Sequence, residues 1–291
     1  MNTSGGLSSI AFPGTATPST WKFLGIGDFN HDGTIDIAWQ DQNPSDNQDG
    51  LAGLWLMDKN SPGITSSMTF PDTAPPASWK FLGIGDFDGN GTADLAWQDQ
   101  NSSDSSYGPV ATWLMNTSGG VSSVTFPGTM PPTTGKLLAI ADFNQDGTAD
   151  LVWQDVNTSD SSYGLVGIWL LHDGAFSRST FPASINPSNM QLTIGNVLGD
   201  NPPDLLWHHL ATGQVIDWHF QSGRYGRGFH GPWHCVTGNL PRHESRVVAS
   251  SHPTLGREFL SCRRNRLGPP SRSVIGNSAG NVVDRCRCCV T

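Results

Sequence analysis

A ten-residue pattern dense in carboxylates, "GDFNHDGTID" at 27–36, returns as "GDFDGNGTAD" at 85–94 and as "ADFNQDGTAD" at 141–150. Each copy is followed by an apolar segment ending in Trp. Measured on Trp39, Trp97 and Trp153, with a weaker fourth copy at Trp207, the steps are 58, 56 and 54 residues. Repetition at such a period restricts the chain to architectures in which one small unit stacks on copies of itself.

Within a unit, four short apolar stretches recur, as in "KFLGIGDF", "TIDIAWQD", "LAGLWLM" and "SSMTF" between Trp21 and Ser78. All are strand-length, rich in Ile, Leu, Val, Phe and Trp, and bounded by Gly, Pro, Asn, Asp or Ser clusters. No window keeps a helical period. The expected fold is therefore all-β, a β-propeller of four-stranded antiparallel blades. The blades read as 21–78, 79–135, 136–190 and 191–223, after a partial blade at 1–20. Small residues alternate along each first strand (Gly25 and Gly27, Gly83 and Gly85, Ala139 and Ala141, Thr193 and Gly195), as the crowded strand beside the channel would need. The Trp positions and the Phe-Pro pairs at Phe12, Phe70, Phe126 and Phe181 are expected to pack blade on blade.

The acidic pattern falls on the turn between first and second strands. Written from Asp28 it is Asp-x-Asn-x-Asp-Gly-x-x-Asp, with side-chain oxygens at loop positions one, three, five and nine. Oxygens alternating around a Gly-enabled bend suit a hard cation, and Ca²⁺ takes six to eight of them. The expected ligands are Asp28, Asn30, Asp32, Asp36 and the carbonyl of Thr34. In the second loop they are Asp86, Asp88, Asn90, Asp94 and Thr92, and in the third Asp142, Asn144, Asp146, Asp150 and Thr148. Asp and Asn trade places at positions three and five between copies while the oxygen count holds. A solvated acidic turn has no need of that. The fourth copy, "GNVLGDNPPD", has Leu198 at position three and Asn201 in place of the Gly, so little or no ion binding is expected, and Asp204→Ala is expected to cost little.

"DFNHDGTIDIAW" with "GLWLM", "DFDGNGTADLAW" with "ATWLM" and "DFNQDGTADLVW" with "GIWLL" resemble the integrin-like FG-GAP or VCBS repeat propellers over roughly residues 1–222. The resemblance implies structural Ca²⁺ in the Asp-rich loops and a role as an adhesion, carbohydrate-binding or scaffold module of secreted and surface proteins. The second hairpin departs from the family, because its short Thr-Gly turn, kept at "LATGQ", is expanded into "QNPSDNQDG", "QNSSDSSYG" and "VNTSDSSYG". Asp104 with Tyr107 and Asp160 with Tyr163 place an aromatic ring beside carboxylate and hydroxyl groups, as stacking on a sugar would require. Recent duplication alone would also explain their identity.

Residues 1–223 hold five Lys plus Arg against 22 Asp and no Cys, which disfavours nucleic acid and anionic membranes as partners. The final 68 residues invert this, with eleven Arg, three acids and all five Cys. Segment 224–291 reads as a non-repeat tail, disordered or out of frame. Cys288 and Cys289 lack the spacing of common zinc sites. Met1 aligns with Met57 and Met115 in mid-blade, and no signal peptide precedes it. Residues 7–12 could therefore pair with the strand at 213–220 and close a ring. Alternatively the blades form an arc of a larger propeller, whose open edges would favour self-association, and this is the expected natural state. No nucleophile motif, phosphate loop or HExxH is present. The expected function is a non-catalytic, calcium-binding extracellular module for glycan or surface protein. The alternatives are a pure scaffold and an accessory domain of a polysaccharide-active enzyme.

Overall fold

In the computed structural model the described residues are 19–45, 49–61, 65–71, 79–103, 107–197, 199, 202–220, 234–238 and 244–248. Sheet one comprises β1 (Trp21–Gly27), β2 (Asp36–Asp41), β3 (Ala52–Met57) and β4 (Thr65–Thr69). Sheet two has β5 (Trp79–Gly85), β6 (Asp94–Asp99), β7 (Pro109–Met115) and β8 (Val121–Thr129). Sheet three has β9 (Gly135–Ala141), β10 (Asp150–Asp155), β11 (Val166–His172) and β12 (Ala175–Thr180). Sheet four continues through β13 (Met190–Gly195), β14 (Asp204–His209) and β15 (Val215–His219) to β16 (His234–Gly238) and β17 (Glu244–Val248). All neighbours are antiparallel and sequential. There is no helix among the described residues. These are blades of propeller type, and the four sheets are not closed into one continuous sheet.

Side-chain periodicity places the core. Phe29, Leu54, Leu95 and Trp97 are buried between sheets one and two; Phe87, Leu114, Leu151 and Trp153 between two and three; Phe143, Ile168, Leu205 and Trp207 between three and four. Each second-strand Trp also tilts against the third-strand Trp of its own sheet, with centroids 5.2 to 5.4 Å apart for Trp39–Trp55, Trp97–Trp113, Trp153–Trp169 and Trp207–Trp218. The indole N–H of all four second-strand Trp residues is buried without an acceptor. Ring packing has prevailed over that lost hydrogen bond, which itself costs about 1–3 kcal/mol.

The small residues of the first strands make room for a specific neighbour. A Cβ on Gly25 would lie 2.7 Å from Ile84 Cδ1, and one on Gly83 would lie 2.7 Å from Ile140 Cδ1. They admit the isoleucine of the next blade. The Phe-Pro phenylalanines also differ from expectation: Phe70, Phe126 and Phe181 are exposed, and Phe70 and Phe126 edge onto Trp21 and Trp79 of their own sheets. Phe70 and Trp21 meet over Gly53 of the third strand, where a Cβ would lie 3.2 and 2.8 Å from them.

Residues 7–12 lie outside the described residues. The edge of β15 that they were expected to cover is taken by β16, with Val215 opposite Gly238 and His219 opposite His234. The last sheet thus extends across the boundary expected at 223, and part of the segment read as a non-repeat tail supplies its fourth and fifth strands. Strand pairing demands only a free row of backbone N–H and C=O groups, so no blade-like side-chain pattern was needed.

Candidate metal centre

Each acidic loop is folded by its own side chains. Asp28 accepts from the N–H groups of Asp32 and Gly33 at 3.1 and 2.8 Å, Asp86 from Gly89 and Gly91 at 2.7 and 2.8 Å, and Asp142 from Gln145 and Gly147 at 2.6 and 3.0 Å. Position five then caps position seven: Asp32, Asn90 and Asp146 accept from the N–H of Thr34, Thr92 and Thr148 at 2.8, 2.6 and 3.0 Å. Such side-chain-to-backbone bonds let Asp and Asn wind a short loop without a helix or ladder. Position six needs glycine, since Gly33, Gly91 and Gly147 have φ of 85, 88 and 93°.

The ninth-position aspartates are fully buried and differ in role from the rest. Asp36 accepts from Phe29 N at 2.9 Å and Met57 N at 2.7 Å, Asp94 from Phe87 N at 2.8 Å and Met115 N at 2.6 Å, and Asp150 from Phe143 N at 2.9 Å and Leu171 N at 3.0 Å. Each carboxylate ties its loop to the third strand. Thr92 and Thr148 add a second tie, their hydroxyls donating to Met115 O at 3.0 Å and Leu171 O at 2.9 Å. Burial drives the carboxyls of Asp94 and Asp150 up to about 7, against the opposing pull of their two N–H donors, and raises Asp36 as well. Asp88 is also raised, first by burial.

Of the three loops, the second gathers its carboxylates best. One oxygen from each of Asp86, Asp88 and Asp94 lies within 4.8 Å of the other two, the one such group of three acids among the described residues. Asp at position three faces inward with positions one and nine. In the first and third loops that place is held by Asn30 and Asn144, while the Asp at position five is turned to Thr34 or Thr148. Other side chains also reach those two loops: Lys59 Nζ donates to Asp32 O at 2.6 Å, and His172 Nδ1 lies 4.0 Å from Asp146. The donors of the second loop are all oxygen, two of the carboxyls are raised by burial, and the group could hold a metal ion. Asn90 sits beside it, donating to Asp88 at 2.9 Å.

The loops are also linked to one another, which the sequence did not signal. Ala93 N donates to Asp28 O and Ala149 N to Asp86 O, both at 2.7 Å, so position eight of the second and third loops grips position one of the loop before it. His31 Nδ1 lies 2.8 Å from Gly91 O.

In the fourth copy, positions three, five and six lie outside the described residues. Asp204 is buried and accepts from Val197 N at 2.8 Å, while its other oxygen pairs with His219 Nδ1 at 2.7 Å. His219 stands where Leu56, Leu114 and Leu170 stand, and that substitution was the available signal. Asp204 thus has partners that its broken loop did not suggest, and Asp204→Ala would take this contact from the buried His219 ring and the part-buried Val197 N–H.

Of the expanded loops, Asp104 lies outside the described residues and Tyr107 is half-buried. Asp160 is exposed, and its carboxyl is lowered from the ordinary value, first by the Ser162 hydroxyl at 2.8 Å. The Tyr163 hydroxyl lies 3.5 Å from Asn186 and 3.4 Å from Ser188. A cleft of about 590 Å³ opens between β5 and β9, with Lys80, Lys136, Gln98 and Gln100 on its walls.

Residues 86–153, from the first aspartate of the second loop to the Trp after the third, match the model of the FG-GAP-like repeat, consistent with an FG-GAP repeat family. No curated protein matches the chain.

Proposed function

We propose that the chain is a non-catalytic, calcium-stabilised module of propeller type that serves extracellular binding. The observation that carries this reading is the convergence of Asp86, Asp88 and Asp94 in a loop that occurs three times. Asp86, Asp88 and Asp94, with Asn90 and the Thr92 carbonyl, would hold the ion. It would supply the positive charge that a buried, ionised Asp94 lacks. Asp28, Asn30, Asp32, Thr34 and Asp36 form the corresponding set in the first loop, and Asp142, Asn144, Asp146, Thr148 and Asp150 in the third. The ion's work is structural: it offsets repulsion among carboxylates confined to one turn. Titration calorimetry of chelator-stripped protein should show calcium binding, with Asp86→Ala removing one site. Heat indistinguishable from dilution would sink the reading.

The ligand class favoured for the module is carbohydrate. Tyr163 sits half-buried on a turn braced by Asp160 and Ser162, a fixed ring edge with hydroxyl and carboxylate neighbours. Tyr107→Ala and Tyr163→Ala should each weaken glycan binding without changing the melting temperature. A broad glycan screen that stays blank with calcium present would leave the scaffold role standing in its place.

A further inference from the structure

The junctions between sheets one and two and between two and three are built alike. The first-strand isoleucine of the later sheet lies against the small first-strand residues of the earlier one, Ile84 against Gly25 and Gly27, Ile140 against Gly83 and Gly85. The second-strand Leu-x-Trp pair of the later sheet is buried there too, as are Leu95 with Trp97 and Leu151 with Trp153. Position eight of the later loop donates its N–H to position one of the earlier.

Sheet one carries the same parts, and among the described residues no other sheet lies against them. Ile26, at the place of Ile84 and Ile140, is 60% exposed, and Phe23 and Ile35 are 52% and 55% exposed. Ile37 and Trp39 are only half-buried, where Leu95, Trp97, Leu151 and Trp153 are buried. The N–H of Ile35 stands where those of Ala93 and Ala149 donate, and it makes no such bond among the described residues. The opposite end of the chain carries the matching half. Gly195, at the place of Gly27 and Gly85, has no atom within 4 Å of where a Cβ would sit. Leu206 and Val215 are half-buried, whereas their counterparts Val152 and Val166 are fully buried.

We propose that sheet one of one molecule docks on sheet four of a second copy, with Ile26, Phe23 and Trp39 against Gly195, Leu206 and Val215. The occupant follows from continuity with the junctions already present: what fits the face of a blade is the opposite face of another such blade. Because the two faces lie at opposite ends of one chain, the contact is head-to-tail, and two such contacts close a twofold ring. Four sheets from each copy make eight, within the range propellers span.

Light scattering on the full chain under reducing conditions should give twice the chain mass, dissociating on dilution. Ile26→Glu should raise the dissociation constant about thirtyfold or more, the scale of a central interface residue. Its circular dichroism should not change, since the side chain is exposed within the monomer. Mixing Ile26→Glu with Gly195→Glu should restore a dimer, because one junction then pairs two unaltered faces. A monomer at every concentration overturns the proposal. So does a dimer that survives Ile26→Glu, or one that the mixture fails to restore.

Discussion

Stripping calcium from the protein should lower its melting temperature by about 15–30 °C. Each site contributes about 2.7 kcal/mol when the free ion stands a hundredfold above its dissociation constant. Three sites sum to about 8 kcal/mol, and a chain of this size moves about 2–4 °C per kcal/mol. The same melts carry a pH signature. Asp94 and Asp150 titrate near 7 in the folded protein and near 3.8 when unfolded, so between those values the native state holds more protons. Stability of the metal-free protein should therefore fall as pH rises from about 4 to 7, by up to about 1.4 kcal/mol per pH unit for each group. Calcium should abolish that fall, since it favours the ionised carboxylates. Melts that are identical in chelator and in calcium would refute the ion's structural role.

Asp94→Ala should destabilise the protein by about 3–5 kcal/mol even in chelator. The substitution leaves the N–H groups of Phe87 and Met115 buried without an acceptor, and each such orphan costs about 1–3 kcal/mol. Asp86→Ala, on a half-exposed residue, should matter chiefly when calcium is present. Urea titrations of both variants with and without the ion separate the two kinds of carboxylate. A loss below about 1 kcal/mol for metal-free Asp94→Ala would show that its backbone bonds carry little weight.

That division of labour marks how far the sequence was legible. Strand positions, their order and the acidic turns could be read because each depends on local pattern: strand-length apolar runs, Gly at the positive-φ site, Asp and Asn at alternate positions. The second function of Asp36, Asp94 and Asp150 could not, because it depends on Met57, Met115 and Leu171, each 21 residues further along the chain. The bonds from Ala93 and Ala149 to the preceding loops involve backbone alone, and alanine carries no mark of what its N–H will meet. Phe70 and Phe126 depart from expectation for another reason: hydrophobicity says that a ring seeks cover, but not that the cover is the first-strand Trp of its own sheet. β16 carries no sequence mark because a ladder partner requires no particular side chains.

The handclasp from loop to loop stops at one residue. Position eight of the fourth copy is Pro203, which has no N–H to offer Asp142. Sheet four is held to sheet three by apolar contacts, among them Phe143 against Phe220 at 5.3 Å, without the backbone bond that reinforces the earlier junctions. Apolar burial weakens on cooling, and this junction has no such backbone bond beside it. The molecule thus carries a cold seam, and low temperature should loosen the last sheet while the first three stay clasped.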